Sequence, residues 1–225
     1  MNKPKQLTFP WSKPNRSNYD EFYFDKSNFE LKDILFEKDD LFLYGLKKTG
    51  KTFLLQSLCN EYAKKSKSSL YVPLSEISNL ETQILDSIEN MDIICIDEID
   101  SIAEIYDWET AIFNLINNCQ ISGCRLVFSS LENPSSIKFS LNDLASRIKK
   151  INSIEIFPVS DDSLIEAIEF ISKFRSINLG ERELNYLLTY TERSISSLVS
   201  IINKLDEFSI EQKRKITIPL IKEVI

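Results

Sequence analysis

The sequence predicts an α/β fold in which a parallel five-stranded sheet is followed by a small all-α domain. Short apolar runs alternate with helix-like segments between residues 41 and 158, which is typical of strands joined by crossover helices. The first of these runs leads into a glycine-containing loop and then a helix. After Pro158 the strand-like runs stop, and leucines and isoleucines recur at helical spacing. The chain therefore combines two architectures.

Five apolar runs are predicted to be the strands of the sheet, at 41–45, 69–74, 92–97, 124–130 and 153–158. The segments between them are predicted to be helices, at 51–66, 80–88, 107–119 and 141–149. Ser27 and Asn28 are predicted to cap a further short helix from Glu30 to Phe36. Because the strands are too apolar to face water, we expect helices on both faces of the sheet.

The composition divides the chain into three parts. Residues 1–18 contain three of the seven prolines and are expected to form an extended, flexible tail. Residues 19–159 are expected to form the α/β domain. Residues 160–225 are expected to form the helical domain, with helices at 160–176, 180–191 and 194–212 and a last one from Ile218.

The amino-acid content excludes several classes of protein. The 225 residues contain no run of 18 uncharged apolar side chains, so neither a membrane span nor a membrane partner is predicted. The N-terminus has no apolar leader, which argues against secretion. The four cysteines lack C-x-x-C spacing and there is no histidine. We therefore expect no zinc site, and a reducing, cytoplasmic environment.

The net charge is distributed unevenly along the chain. Residues 1–18 carry four basic residues and no acid, and subtracting this +4 from the total of −7 leaves −11 for the remainder. A body this acidic is a poor platform for a phosphate backbone. Direct, sequence-specific DNA binding is not expected.

The octapeptide Gly45–Thr52, GLKKTGKT, matches the phosphate-binding pattern G-x-x-x-x-G-K-[ST]. In such a loop the backbone N–H groups surround phosphate oxygens, aided by the N-terminus of the following helix. Lys51 would reach the β- and γ-phosphates, and the Thr52 hydroxyl would ligate Mg²⁺. The alternative is an incidental glycine turn beside a lysine. The residues predicted to bind ADP or ATP are Gly45, Lys48, Thr49, Gly50, Lys51, Thr52 and Phe53.

Two acids, Asp97 and Glu98, follow the strand predicted at 92–97, and Asp97 lies 46 residues after Lys51. An acid at this place in phosphate-loop enzymes holds Mg²⁺ through its water shell. A second carboxylate can orient or deprotonate an attacking water. Acids often end strands at a protein surface, but the spacing from the loop favours the metal and catalytic roles.

Taken together, these motifs resemble those of the Hda family, which consists of DnaA-homologous AAA+ regulators. The resemblance covers essentially the whole chain. It is carried by the segments QLTFPW (6–11), YVPLSE (71–76), CIDEIDSIA (95–103), WETAIFNLINN (108–118), NDLASRI (142–148), PVSDDSLIEA (158–167) and QKRKITIPLIKEVI (212–225). It implies an AAA+ phosphate-loop domain followed by a helical lid.

The resemblance implies further site residues. Ser129 or Ser130, at the end of the fourth strand, would sense the γ-phosphate or position water, although serines are common at strand ends. Arg147 would act as an arginine finger on a nucleotide held by a neighbouring subunit. The alternative for Arg147 is an internal salt bridge or a solvated side chain.

The sequence also departs from the family. The lid arginine that contacts phosphates is replaced by Ser196, and Arg193, one helical turn earlier, is a candidate substitute. Leu131 stands where the family has an aspartate at a strand end. These changes put hydrolysis by the chain itself in doubt more than nucleotide binding. They fit the family's ADP-bound working form.

The tail resembles a peptide that binds the DNA polymerase III sliding clamp. Its apolar side chains are unfavourable when exposed, and an extended peptide can dock them in a groove. The alternative is that the tail folds back on its own domain. The residues predicted to bind the clamp are Gln6, Leu7, Phe9, Pro10 and Trp11.

The resemblance implies a regulator that, bound to the DNA-loaded clamp, promotes hydrolysis of the ATP held by the initiator DnaA. DnaA continues past its lid into a helix-turn-helix domain, whereas this sequence ends at Ile225, so we expect no recognition of an origin. Two alternatives stay open: an autonomous ATPase of the helicase-loader type, and a DnaA-like scaffold recruited by the clamp. Self-association also stays open.

Overall fold

The structure, a computed structural model, describes residues 17–225. The predicted clamp-binding residues therefore lie outside the described part of the chain; they are Gln6, Leu7, Phe9, Pro10 and Trp11.

Five parallel strands form one sheet in the order β2-β3-β4-β1-β5. Their bounds are β1 Leu41–Tyr44, β2 Ser69–Pro73, β3 Ile93–Asp97, β4 Arg125–Ser130 and β5 Asn152–Glu155. The central strands β3 and β4 are buried along their whole length, as expected for apolar strands in a covered parallel sheet. The predicted sheet is confirmed.

Helices cover both faces of this sheet. On one face, α2 (Lys51–Lys64) buries Leu55 against Cys95 of β3. On the other, α4 (Tyr106–Ser122) and α5 (Asn142–Ile148) complete a core that includes Ile112 and Ile96. Two single-turn helices, α1 Leu31–Ile34 and α3 Leu74–Ile77, complete this region.

Four further helices form a lid with its own core. Their bounds are α6 Leu164–Phe174, α7 Glu181–Tyr190, α8 Ile195–Gln212 and α9 Ile218–Val224. Leu184, Leu198 and Leu220 are each buried within the lid core. An α/β domain followed by an all-helical lid is therefore the fold, as the sequence predicted.

The prediction that Ser27 and Asn28 cap a helix is wrong. Asp25 caps the 3₁₀ helix Lys26–Asn28 instead. The Asn28 amide exchanges two hydrogen bonds with the backbone of Phe157, at 2.9 and 3.0 Å. The Asn28 side chain therefore bonds to the segment that follows β5. The helix α1 begins at Leu31 and has no side-chain cap.

The helix predicted at 80–88 is also wrong. The chain forms two 3₁₀ turns there, Thr82–Leu85 and Ile88–Asn90. Ser87, between them, has a left-handed backbone with φ 64°, which ends any α-helix at that point. Leu85 and Ile88 are buried nonetheless, so the apolar spacing reflects burial by turns.

The first described residues pack on α2. Ser17 is buried, and its carbonyl accepts a hydrogen bond of 2.7 Å from the Asn60 amide. Among residues 17–225, no helix combines the length and apolar content that crossing a membrane would need.

Candidate functional site

The loop between β1 and α2 needs glycine at two positions. Gly45 has φ 148° and Gly50 has φ 96°, both in the region that side chains disfavour. A Cβ at Gly45 would meet the carbonyl oxygen of Ile156, and one at Gly50 would lie 2.7 Å from Cε2 of Phe22. The loop backbone therefore packs closely against Ile156 and Phe22.

Lys51, the first residue of α2, curls back over this loop. Its ammonium donates hydrogen bonds of 2.7 Å to the carbonyl oxygens of both Gly45 and Leu46. Burial lowers the pKa of Lys51, and the charge of Asp97 opposes this shift. A buried ammonium group beside the backbone N–H groups of a loop forms a site at which an anion can bind.

Asp97 ends β3 as a buried carboxylate held from both sides. Tyr71 on β2 donates a hydrogen bond of 2.7 Å to its Oδ2, and Ser129 on β4 donates to its Oδ1. The Ser129 hydroxyl in turn accepts the backbone N–H of Glu98 at 3.0 Å. Ser130 differs, since its hydroxyl accepts the backbone N–H of Glu132.

Tyr71 was not singled out in the sequence. Burial, followed by the charge of Asp97, raises its pKa, so the hydroxyl keeps its proton and remains a donor. Only the position of Tyr71 in the sheet indicates its contact with Asp97. Tyr71 lies opposite Cys95 in the register of β2 and β3, and Asp97, two residues later, is on the same face of the sheet.

A cavity of about 1010 Å³ separates this sheet edge from the lid. The predicted residues that line it are Lys48, Gly50, Lys51, Thr52, Phe53, Asp97, Glu98 and Ser196. Several others lie outside its lining: Gly45, Thr49, Ser129, Ser130, Arg147 and Arg193. The structure thus brings loop, acid pair and lid to one space.

The lid contacts the loop through Lys48. Its ammonium lies 2.5 Å from Glu192 and 3.1 Å from the hydroxyl of Ser197. Ser196 lines the cavity, whereas the guanidinium of Arg193 donates to the Leu188 carbonyl at 3.3 Å, away from the lining.

A lid arginine that the sequence did not identify, Arg175, also lines the cavity. It follows α6 and pairs with Glu21 at 2.7 Å. Its Nη1 also donates to the Asn203 side chain on α8. The spacing of residues gave no sign of this cluster, because its members come from three separate elements.

Arg147 lies at the end of α5, outside the cavity and half-buried. Its Nη1 donates a hydrogen bond of 3.0 Å to the Gln120 side chain on α4. The salt bridges found among residues 17–225 do not include Arg147. The guanidinium is therefore held at a surface rather than in the chain's own cavity.

The donor set fits a hard divalent cation if phosphate is present. Asp97 and the exposed residue Thr52 both line the cavity and would offer oxygen ligands to such an ion. Within residues 17–225, no three acidic, cysteine or histidine side chains converge as a metal cage. A Mg²⁺ ion here would draw its other ligands from phosphate and water, as Mg²⁺ commonly does.

Comparisons with known proteins agree with this architecture. Residues 37–164 match the AAA domain family, and residues 161–225 match the lid domain of Hda. An uncharacterized protein of Haemophilus influenzae is 29% identical over 227 residues, covering 98% of both chains.

Two solved structures share the fold at low identity. Domain III of the Thermotoga maritima replication initiation protein DnaA is 20% identical with a TM-score of 0.76, covering 93% of this chain and 97% of that one. AMPPCP-bound DnaA from Aquifex aeolicus is 19% identical with a TM-score of 0.69, covering 84% and 65% respectively.

Proposed function

This chain belongs to the AAA domain family, as an Hda/DnaA-like AAA+ protein, and from this premise we propose that it binds ADP or ATP with Mg²⁺ in the cavity beneath its lid. The observation that carries this proposal is that one cavity is lined by Lys51, Asp97 and the lid residue Ser196. The AMPPCP bound to the Aquifex aeolicus DnaA supports a nucleotide as the ligand.

In this proposal the loop and the acid pair divide the work. Lys51 exchanges its two carbonyl acceptors for phosphate oxygens, and the backbone of Gly45–Thr52 surrounds them. Thr52 and Asp97 would hold Mg²⁺, which would neutralise phosphate charge. Glu98, which lines the cavity, orients water. Ser129 acts through its contacts with Asp97 and Glu98.

The lid favours ADP as the resident nucleotide. Ser196 cannot supply the charge that a lid arginine gives to a γ-phosphate, Arg193 points elsewhere, and Arg175 is already paired with Glu21. Lys48 is already paired with Glu192. We therefore expect weak hydrolysis by the isolated chain.

We further propose that the protein is a regulator of DnaA. Bound to the sliding clamp through residues 1–18, it would present Arg147 to the ATP held by DnaA and promote its hydrolysis. The position of Arg147 outside its own cavity supports a role in trans. The match of residues 161–225 to the Hda lid supports the same partner. In this proposal residues 1–18 form the clamp-binding tail, residues 19–159 the nucleotide-binding domain and residues 160–225 the lid domain.

Two measurements test these proposals separately. ADP and ATP affinities of the wild-type chain and of Lys51→Ala test the nucleotide site, and equal affinities would contradict it. Hydrolysis of DnaA-bound ATP, followed with and without the chain, the clamp and DNA, tests the regulatory role. Stimulation should require all three additions.

The clamp contact has its own test. The double substitution Gln6→Ala with Leu7→Ala should abolish retention on immobilised clamp while leaving nucleotide affinity intact. Undiminished retention would discard the proposed tail function.

An autonomous ATPase of the helicase-loader type is a second candidate, favoured by the intact acid pair Asp97 and Glu98 beside the cavity. Turnover of ATP by the isolated chain discriminates between the two. Robust turnover without DnaA would favour this candidate over the regulator.

A further inference from the structure

Two neighbouring strands fix the carboxylate of Asp97. The residue is 3% exposed, and each carboxylate oxygen accepts a hydroxyl hydrogen bond, from Tyr71 on β2 and from Ser129 on β4. An ionised carboxylate has about four acceptor positions. Two hydroxyl donors therefore set its orientation and still leave acceptor positions toward the cavity.

Tyr71 reaches Asp97 because of strand register. Parallel pairing sets Tyr71 opposite Cys95 and Pro73 opposite Asp97, so the tyrosine ring and the carboxylate lie on the same side of the sheet, one pleat apart. The 2.7 Å hydrogen bond spans this step. A phenylalanine could fill the same space but could not hold the oxygen.

The Tyr71 hydroxyl is itself held by α2. The Gln56 side chain counteracts the raised pKa of Tyr71, the effect of a donor to the tyrosine oxygen, and the side-chain oxygen of Gln56 accepts the Ser17 hydroxyl at 3.2 Å. Ser17 and Gln56 both line the cavity. A series of side-chain interactions therefore runs from Ser17, through Gln56 and Tyr71, to Asp97.

We propose that Tyr71 is a positioning residue for nucleotide-bound Mg²⁺, acting by aiming the Asp97 carboxylate, and that Gln56 and Ser17 extend this support. The inference rests on the proposed nucleotide site. Partners that orient a metal ligand typically change metal affinity by about 10- to 100-fold when removed, and Tyr71 has the geometry of such a partner.

The test uses the full chain and Tyr71→Phe, which removes only the hydroxyl. ADP affinity is measured by calorimetry across a Mg²⁺ titration and again in excess chelator. The expected result is a rise of about 10- to 100-fold in the Mg²⁺ concentration that gives half-maximal enhancement of ADP binding. ADP affinity in chelator should stay at the wild-type value.

Tyr62→Phe is the matched control. Tyr62 belongs to α2 and, like Tyr71, packs against the core between α2 and the sheet. It should reproduce the wild-type Mg²⁺ dependence. Gln56→Leu, a second variant, removes the amide support of Tyr71 and should shift the Mg²⁺ dependence in the same direction by a smaller factor.

Two outcomes would overturn the proposal. One is a wild-type Mg²⁺ dependence in Tyr71→Phe. The other is an equal loss of ADP affinity with and without Mg²⁺, which would make Tyr71 a general support of the cavity. Failure of the nucleotide site itself is distinct, because the wild-type chain would then bind no ADP.

Discussion

Arg175 and Glu21 form a two-pronged ion pair at the edge of the cavity. The guanidinium Nε and Nη2 lie 2.8 and 2.7 Å from the same carboxylate oxygen. Their side chains are only 21% and 12% exposed, so solvent screens the pair incompletely. The pair joins the lid to the 3₁₀ helix Tyr19–Glu21. Lid position and the N-terminal wall of the cavity are therefore fixed together.

Arg175→Ala should weaken ADP binding because the lid loses this fixed position and Glu21 is left as an unpaired acid in the cavity. We expect the free energy of ADP binding to weaken by about 1 to 2 kcal/mol, or roughly 5- to 30-fold in affinity, which is the range for charge-assisted hydrogen bonds at a partly exposed pair. Calorimetric titration measures it. Arg182→Ala, on the exposed face of α7, is the matched control and should bind ADP normally. Equal affinities in the two variants would remove Arg175 from the site.

Asp25 links the N-terminal segment to the entrance of the lid, and this link should depend on pH. Its carboxylate accepts the backbone N–H groups of Ser160 and Lys26, at 2.9 and 2.6 Å. The bond from Ser160 is the main cause of a lowered Asp25 pKa. A group whose pKa falls on folding stabilises the protein above its unfolded pKa, and that stabilisation is lost as pH falls through the folded value.

Asp25→Asn should therefore lower the free energy of unfolding near pH 7 by about 1 to 3 kcal/mol. The difference from wild type should shrink as pH falls below about 4, the ordinary aspartate pKa. Urea unfolding at a series of pH values measures this. Asp162→Asn, at an exposed position nearby, should track the wild type. A difference that persists undiminished at low pH would contradict the assignment.

The sheet and the glycine-containing loop between β1 and α2 were predictable because their signals are local. Apolar runs such as 92–97 identify buried strands without knowledge of their partners. The spacing of Gly45, Gly50 and Lys51 specifies a loop whose geometry depends on few other residues. The structure places Lys51 and Asp97 at one sheet edge, as the strand–loop–helix order implies for a parallel sheet.

The other contacts were not predictable because distant segments make them. Asn28 resembles a helix cap but bonds Phe157, 129 residues away. Tyr71 contacts Asp97 only through the register of two strands. Arg175 meets Glu21 across 154 residues. Single-sequence periodicity carries no information about such pairings, since packing decides them.

Arg147 should act only on another protein. Arg147→Ala should leave ADP affinity at the wild-type value, because the guanidinium lies outside the cavity. It should lower stimulation of DnaA-bound ATP hydrolysis by about 10³-fold or more, the range for a missing arginine finger. Lys149→Ala, two residues on and exposed, is the control for charge alone. Stimulation that survives in Arg147→Ala would end the proposed finger role.

Glu109 is a fully buried carboxylate on α4 that holds the start of α5. Its Oε1 accepts the backbone N–H groups of Glu104 and Ser140, at 2.7 and 3.0 Å. Its Oε2 accepts that of Leu141 at 2.6 Å. Since Leu141 immediately precedes α5, this carboxylate fixes the helix that carries Arg147 at its other end.

Glu109→Gln keeps the shape of the side chain but replaces one acceptor oxygen with a donor that faces backbone N–H groups. We expect the free energy of unfolding to fall by about 1 to 3 kcal/mol, the cost of leaving a buried group unsatisfied. Urea denaturation measures it. Glu104→Gln makes the same chemical change at an exposed position and should unfold like the wild type. Because α5 would lose its anchor, Glu109→Gln should also stimulate the hydrolysis of DnaA-bound ATP less than the wild type does, without urea, where the variant is still folded. A variant as stable as the control would mean that the three backbone contacts contribute little to holding α5.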